Sequence, residues 1–380
     1  MTAAHVEDFK RKTKRGGLSE RERRSQALAA GRALDREQLL ANLRAVLDEG
    51  TKTASGRKKA ETLVQQLMYP EVLAAIPERL SGDWLAQLRP AGRRVIASVR
   101  EGRLTLRVAK NGGLLAEFGF EAKLTELGRL TVLDCVLNEA GTELFVMDVL
   151  LWDAAEISEC EAECRHFWLR SRLSEPLDVS LEALSSPRTG RRNLQICRIS
   201  YMQPLDATGE NIAALYDAAT DSLLFSHKAA VLAPGLSPLY LQWRDGKICR
   251  FPIDTADATG TQIPARQAVV LKAKRRGSRV VLKTWDSVKL ADFDEMAEFP
   301  ILFAVDESSF LVRGLIDDCV HDPAAASVQL VNLTDLQRVP GARVFPDSLA
   351  RICGQAQFRR TGRPLVTLEQ LLVAARASTP

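Results

Sequence analysis

The sequence has no apolar run approaching the roughly 20 residues that cross a bilayer. It opens on a charged stretch, where a secretory leader would carry an apolar core. The expectation is a protein that neither spans a membrane nor is secreted. Internal repeats and long low-complexity tracts are also lacking. So is a disulfide framework: the seven cysteines (Cys135, Cys160, Cys164, Cys197, Cys249, Cys319, Cys353) are odd in number, scattered, and set in a chain too long to need staples. They read as reduced, buried thiols of a nucleocytoplasmic protein. What the chain does have is 380 residues, 46% of them apolar and 26% charged. That composition supports a sizeable core and one large domain or two ordinary ones.

The charge is segregated. Residues 1–60 hold 15 Lys+Arg against 8 Asp+Glu, a net of +7, and the remaining 320 residues carry a net of −3. A basic tail on a slightly acidic body points to an acidic partner, nucleic acid or protein, met by the tail. Within it, Lys10, Arg11, Lys12, Lys14 and Arg15 form a cluster closed by Gly16-Gly17. Ser19 followed by Glu22 is a capping-box pattern, which predicts a helix running from there to about Leu47. Leu39, Leu40, Leu43, Val46 and Leu47 give its second half an apolar stripe, and Arg21, Arg23, Arg24, Arg32, Arg36 and Arg44 are interleaved along it. The polar stretch from Glu49 to Lys59 reads as a linker.

From Leu63 onward the pattern is that of a body. Between Trp84 and Phe120, short apolar runs are separated by Pro90, Gly92, Gly102 and Asn111-Gly112-Gly113, which predicts antiparallel hairpins. Strands are expected at Leu130–Leu137 and Leu144–Leu150 across an Asn138-Glu139-Ala140-Gly141 turn, and again at Leu223–His227 and Leu239–Trp243. Helices are expected at Ile157–Arg172 and Asn211–Ala219. Beyond Pro252, strands around Val269, Val281, Ile301 and Phe310 precede helices near Ser348 and Leu368. The fold class is therefore α+β with mostly antiparallel sheets. The domain division is a basic segment 1–48, a linker 49–62, a body 63–252 and a C-terminal α/β extension 253–380.

Five short segments occur in a fixed order: Arg89-Pro90-Ala91-Gly92-Arg93-Arg94, Leu133-Asp134-Cys135-Val136-Leu137, Val146-Met147-Asp148-Val149-Leu150, Asp221-Ser222-Leu223-Leu224-Phe225-Ser226-His227-Lys228 and Leu239-Tyr240-Leu241-Gln242-Trp243-Arg244. The series resembles the nucleotidyltransferase motifs of mRNA capping enzymes and polynucleotide ligases, which implies a capping enzyme/DNA ligase-like fold. Those enzymes attack an α-phosphate with a motif lysine. Here that position is Arg89, whose guanidinium stays protonated and cannot be a nucleophile. The motif carboxylates are also displaced, by Ala91 and Val136, with only Asp221 where the third motif has glutamate. The chain is therefore expected not to be an enzyme and to need no cofactor.

A broader likeness runs through Gln66-Leu67-Met68, Leu80, Trp84, Pro90–Arg94, Thr131–Cys135, Trp152, Phe167-Trp168, Ser171–Leu173, Leu223–Lys228, Pro234–Leu239 and Trp243. Over these segments the chain is similar to the snurportins, import adaptors with an importin-β-binding segment ahead of a domain for the trimethylguanosine cap of spliceosomal U small nuclear RNAs. The resemblance implies a shuttling protein of nucleus and cytoplasm, with capped RNA, importin-β and an exportin as partners and no membrane. It makes the arginine helix the importin-β-binding segment. For the cap it implies stacking of the cationic base on Trp243 and contacts from Lys110, Arg93, Arg94 and the neighbouring Val95. Pro70-Glu71-Val72-Leu73 stands where the family has Ser-Glu-Trp-Leu, so Pro70 falls at a cap-contact position and an aromatic wall is missing. Tyr69 is a substitute for it. This departure leaves open the choice between trimethyl and monomethyl caps.

Two other functions fit parts of the pattern. One is a diverged RNA guanylyltransferase or ligase using another lysine such as Lys110. The other is a module that kept the fold and recognises a different RNA end or a protein. Cys160, Cys164 and His166 lie on one predicted helix without an evident fourth ligand, so they are read as packing residues with no metal.

Overall fold

The computed structural model describes residues 13–14, 19–32, 67–100, 102–109, 112–119, 127, 130–153, 155, 157–185, 194–256, 260–277, 279–294, 309–322, 327–339 and 345–377. The expected linker, the helix beyond Arg32 with Arg36 and Arg44, Lys110, and the strand at Ile301 lie outside them. In chain order the elements are β1 (Thr13–Lys14), α1 (Glu20–Arg32), β2 (Met68–Val72), α2 (Leu80–Asp83), β3 (Trp84–Arg89), β4 (Arg93–Arg100), β5 (Arg103–Val108), β6 (Leu114–Gly119), β7 (Leu130–Leu137) and β8 (Glu143–Leu151). They continue with α3 (Ala162–Arg172), β9 (Leu177–Ser185), β10 (Gln195–Tyr201), β11 (Leu205–Asp206), α4 (Gly209–Asp217), β12 (Ser222–His227) and β13 (Gly235–Trp243). The last group is β14 (Gln267–Arg276), β15 (Arg279–Lys283), β16 (Lys289–Asp294), β17 (Ser309–Ile316), β18 (Asp318–Asp322), β19 (Ser327–Val331), β20 (Thr334–Val339), α5 (Leu349–Thr361) and α6 (Leu368–Ala377).

These elements fall into two units. One comprises Arg23–Pro70, Pro77–Trp243 and Leu368–Pro380. In it β10-β8-β7-β4-β5-β6-β9 close into a barrel, and β11-β3-β12-β13-β2 form a five-stranded sheet. Every barrel pairing is antiparallel except β10 with β8. Alternation along the strands fills the barrel: Val95, Ala97 and Val99 of β4 point inward with Leu104, Leu106, Leu133 and Cys135. The residues between them, Arg94, Ile96 and Ser98, point out. The outer wall of the barrel meets the five-stranded sheet, where Val136 and Met147 pack on Leu224 and Tyr240.

Local chemistry sets the joints. Between β7 and β8, Asn138 accepts from the Thr142 N–H through its side chain at 2.9 Å, and Gly141 takes φ 75°. Between β3 and β4, Gly92 has φ 152°, and a Cβ there would run into the carbonyl oxygen of Leu137. Helix α4 opens where the Asn211 N–H donates to the Thr208 hydroxyl. The helix expected from Ile157 is broken in two: a short 3-10 turn, Ile157–Glu159, precedes α3.

The other unit comprises Met1–Glu22, Glu71–Ile76 and Arg244–Thr367. Its five-stranded sheet runs β16-β15-β14-β17-β20, and a three-stranded sheet runs β1-β19-β18. Leu349, Ile352, Cys353 and Ala356 of α5 close its core on Val269, Leu271 and Val312. No helix among the described residues is long and apolar enough to cross a membrane. All seven cysteines are free, but only Cys135, Cys249, Cys319 and Cys353 are buried. Cys160 is half-buried, and Cys164 and Cys197 are exposed, which corrects the expectation that all seven would be interior.

Candidate functional site: the cleft between barrel and sheet

The register of β3, β12 and β13 decides which side chains look at the barrel. Leu224 stands opposite Gln242 and Gln87, and Ser226 opposite Tyr240 and Leu85. These share one face with Arg89 and Ser222. Gln87 Nε2 donates to the carbonyls of Met147 (3.0 Å) and Met202 (2.6 Å), tying this face to the barrel wall. The opposite face carries Trp84, Phe225, Leu241 and Trp243. There Trp243 lies against Tyr216 of α4, with ring centres 5.9 Å apart.

Trp243 is therefore not a cleft residue. Only 1% of it is exposed, and it looks away from the barrel. A base cannot stack on it while α4 is in place, which corrects the expectation of a cap on the Trp243 face. The cause is the two-residue period of a strand. Trp243 and Tyr240 are three apart, so they must face opposite ways. The aromatic that β13 gives to the cleft is Tyr240.

Two ion pairs sit in the cleft. Arg94 donates from Nε to Asp134 Oδ1 (2.9 Å) and from Nη2 to Asp134 Oδ2 (2.5 Å), with a further bond from Nη2 to the Met68 carbonyl at 2.8 Å. Its guanidinium carbon lies 4.8 Å from the centre of the Tyr69 ring. Burial opposes the charge on Arg94, but the Asp134 carboxylate more than offsets it, and the guanidinium is held protonated. Arg89 Nη1 donates to Asp221 Oδ2 at 2.5 Å. The chain continues through Ser222, whose hydroxyl donates to Asp221 Oδ2 at 2.9 Å, to Gln242, whose Nε2 donates to the Ser222 hydroxyl at 2.8 Å.

Two tyrosines border this network. The Tyr69 hydroxyl donates to the Ala109 carbonyl at 3.0 Å, and burial pushes its pKa up to about 12. Burial likewise raises Tyr240 well above an ordinary phenol. Both are neutral rings at physiological pH, with faces able to receive a flat cation.

The other expected contacts are placed as follows. Arg93 is exposed and open to an anionic ligand. Arg94 is committed to Asp134, so the expectation of a free phosphate-binding pair is corrected to a single free member. Val95 points into the barrel with no exposed surface, which removes it from any cap contact. Pro70 is half-buried in β2. In α1, Arg21 is exposed and Arg23 and Arg24 are half-buried. The capping box is present: the Ser19 N–H and hydroxyl both donate to Glu22 Oε2, at 2.7 and 2.8 Å.

Asp148, adjacent to the second motif, is spent on structure. Arg165 of α3 clamps it with two bonds of 2.9 and 2.8 Å and also donates to the carbonyls of Cys160 and Ala230. His166 lies against the Tyr201 hydroxyl, Nδ1 to Oη 3.1 Å. Among the described residues no three His, Cys, Asp or Glu side chains are grouped to hold a metal ion.

Sequence reasoning missed Tyr240, Gln87, Gln242 and the role of Asp134 as the partner of Arg94. The signal for Tyr240 was present in the alternation Leu239-Tyr240-Leu241-Gln242-Trp243. The signal for Gln87 was a polar residue inside an otherwise apolar strand. The Arg94–Asp134 pair depends on register, which composition does not carry.

By fold and cleft, the first unit is a barrel-and-sheet α+β binding domain whose facing layers enclose arginine, carboxylate and tyrosine side chains. Residues 66–244, just under half the chain, match the family model described as Snurportin1, m3G cap-binding domain. Solved structures give fainter likenesses. The ligase domain of LigD from M. tuberculosis has 10% identity and a TM-score of 0.32, covering 72% of this chain and 93% of that one. A mycobacterial DNA ligase D complexed with ATP and MES has 11% identity and a TM-score of 0.31, covering 74% and 99%. The Chlorella virus DNA ligase-adenylate has 6% identity and a TM-score of 0.27, covering 72% and 99%.

Proposed function

We propose that residues 66–244 bind the trimethylguanosine cap of spliceosomal U small nuclear RNAs without reacting with it, and that the N-terminal arginine helix binds importin-β. The chain then acts as a nuclear import adaptor, shuttling between cytoplasm and nucleus and recycled by an exportin. The observation that carries this reading is the match of residues 66–244 to the snurportin cap-binding domain.

The chemistry of the cleft supports it. A guanine methylated at N7 is a delocalised cation, attracted to an electron-rich ring by about 0.5–2 kcal/mol beyond burial. Tyr240 and Tyr69 offer such rings. The Tyr69–Ala109 hydrogen bond brings β2 beside the end of β5, next in sequence to Lys110. Arg93 is free to meet the bridging phosphates. Methyl groups on N2 remove donors and add apolar surface, which suits the nearby Val136, Met147 and Leu224. Arg89 supports the absence of catalysis. It stands where the resembling enzymes have their lysine, and its guanidinium is engaged by Asp221. The arginine side chains of α1 and beyond would fold along an acidic partner surface.

Calorimetric titration of the full chain with a trimethylguanosine-capped dinucleotide tests the reading. Saturable one-to-one heat is expected, and an absence of heat at millimolar ligand would refute it.

A further inference from the structure

Helix α1 carries a stripe. Glu20, Arg23, Arg24, Ala27 and Leu28 are half-buried and Gly31 is buried, whereas Arg21, Glu22, Ser25, Gln26, Ala29 and Ala30 are exposed. Spacings of three and four put the covered residues on one face. That face lies on the barrel-and-sheet unit. The Arg24 guanidinium carbon is 5.7 Å from the centre of the Trp84 ring. His227 stands edge-on to the same indole, with ring centres 5.2 Å apart and planes at 77°. One and a half turns further on, a Cβ added at Gly31 would come within 2.8 Å of Val231 Cγ2, so the helix backbone approaches as closely as glycine allows. Trp84 and His227 are on the sheet face that carries Trp243, away from the cleft, so a docked helix does not occupy the cap site.

We infer that α1 is an internal ligand of its own binding domain, seated on Trp84, His227 and Val231, and that docking withdraws Arg23 and Arg24 from an external acidic partner. The helix is 13 residues long. A helix of that length is marginal alone in water, so its helicity depends on the seat. Few contacts hold it, so it can leave. Importin-β and the seat compete for the same two arginines, and the apparent affinity for importin-β is lowered by the fraction of chains that are undocked. The identity of the competitor rests on the function proposed above; the docking does not.

The test uses the full chain as wild type, Gly31→Leu, and the double variant Gly31→Ala/Val231→Ala. Hydrogen exchange is read over residues 20–32. Leucine favours helix over glycine, so faster exchange in Gly31→Leu reports undocking rather than a weaker helix. The double variant exchanges the offending methyl for the missing one and should return to the wild-type pattern. Importin-β should bind Gly31→Leu about tenfold tighter than wild type if about nine in ten chains are docked. Unchanged exchange in Gly31→Leu overturns the docking. Equal importin-β affinity of wild type and Gly31→Leu, with exchange altered, overturns the masking. Failure of importin-β to bind any form overturns the partner reading, and the exchange result still decides the docking.

Discussion

Arg89 and Asp221 are locked together at 2.5 Å across the pairing of β3 with β12, so the cation nearest the cleft's mouth is already neutralised by its own neighbour. Both side chains keep some solvent access, 17% and 14%. The pair therefore contributes less than the roughly 3–5 kcal/mol lost when a fully buried pair is broken.

Arg89→Ala is expected to lower unfolding free energy by about 2 kcal/mol, and Asp221→Ala by a similar amount. The double variant should cost less than the sum, because each single change strands a partner. Urea unfolding of the four proteins measures the coupling. Strict additivity would show that the pair is not formed in solution.

The two aromatics at the end of β13 are expected to separate by function. Tyr240→Ala should weaken cap binding by about tenfold, the equivalent of about 1.4 kcal/mol, within the range of a stacking contact. Trp243→Ala should cost about 3–5 kcal/mol of stability through the cavity it leaves against Tyr216. Trp243→Phe keeps most of that packing and should leave cap affinity near wild type. Loss of cap binding in Trp243→Phe with unchanged stability would return the tryptophan to the site.

His166 gives the protein a specific acid sensitivity. Burial is the first cause of its depressed pKa, with Asp148 pulling it up and Arg165 pushing it down, and the outcome is about 4 against 6.5 for a free imidazole. The unfolded chain takes up the proton first, so the stability this group supports is intact above pH 6.5 and is lost as pH falls to about 4. The loss amounts to about 3 kcal/mol. His166→Gln should flatten the stability curve across that window, leaving the smaller contribution of His227, whose pKa is also lowered by burial. Asp148, held low chiefly by Arg165 against its burial, acts at still lower pH. Equal slopes for wild type and His166→Gln between pH 6.5 and 4 would contradict this account.

Much of the fold was legible because local chemistry and long-range packing agree there. The strand Leu130–Leu137 and its turn at Asn138–Gly141 follow from an apolar run ending in residues that accept a tight reversal. The capping box at Ser19 and Glu22 needs only four residues to specify it. The cleft was less legible because motif position fixes where a residue falls along a strand and not which way it points. Trp243 and Val95 were each placed at the right level of the chain and on the wrong side of the sheet or barrel wall. Arg94 was misjudged differently: its partner, Asp134, is 40 residues away and meets it only through the β4–β7 register. The split of the helix after Ile157 depends on the Arg165 clamp on Cys160 and Ala230 carbonyls, another contact distant in sequence.

The most direct test of the central claim is a competition titration at fixed salt between trimethylguanosine-capped and unmethylated guanosine-capped dinucleotides for the full-length protein. A cleft that recognises the cationic, N2-methylated base predicts at least about a tenfold preference for the trimethyl form, or about 1.4 kcal/mol. Equal affinity for the two would mean that the protein holds only the phosphates, and would contradict a cap-binding function.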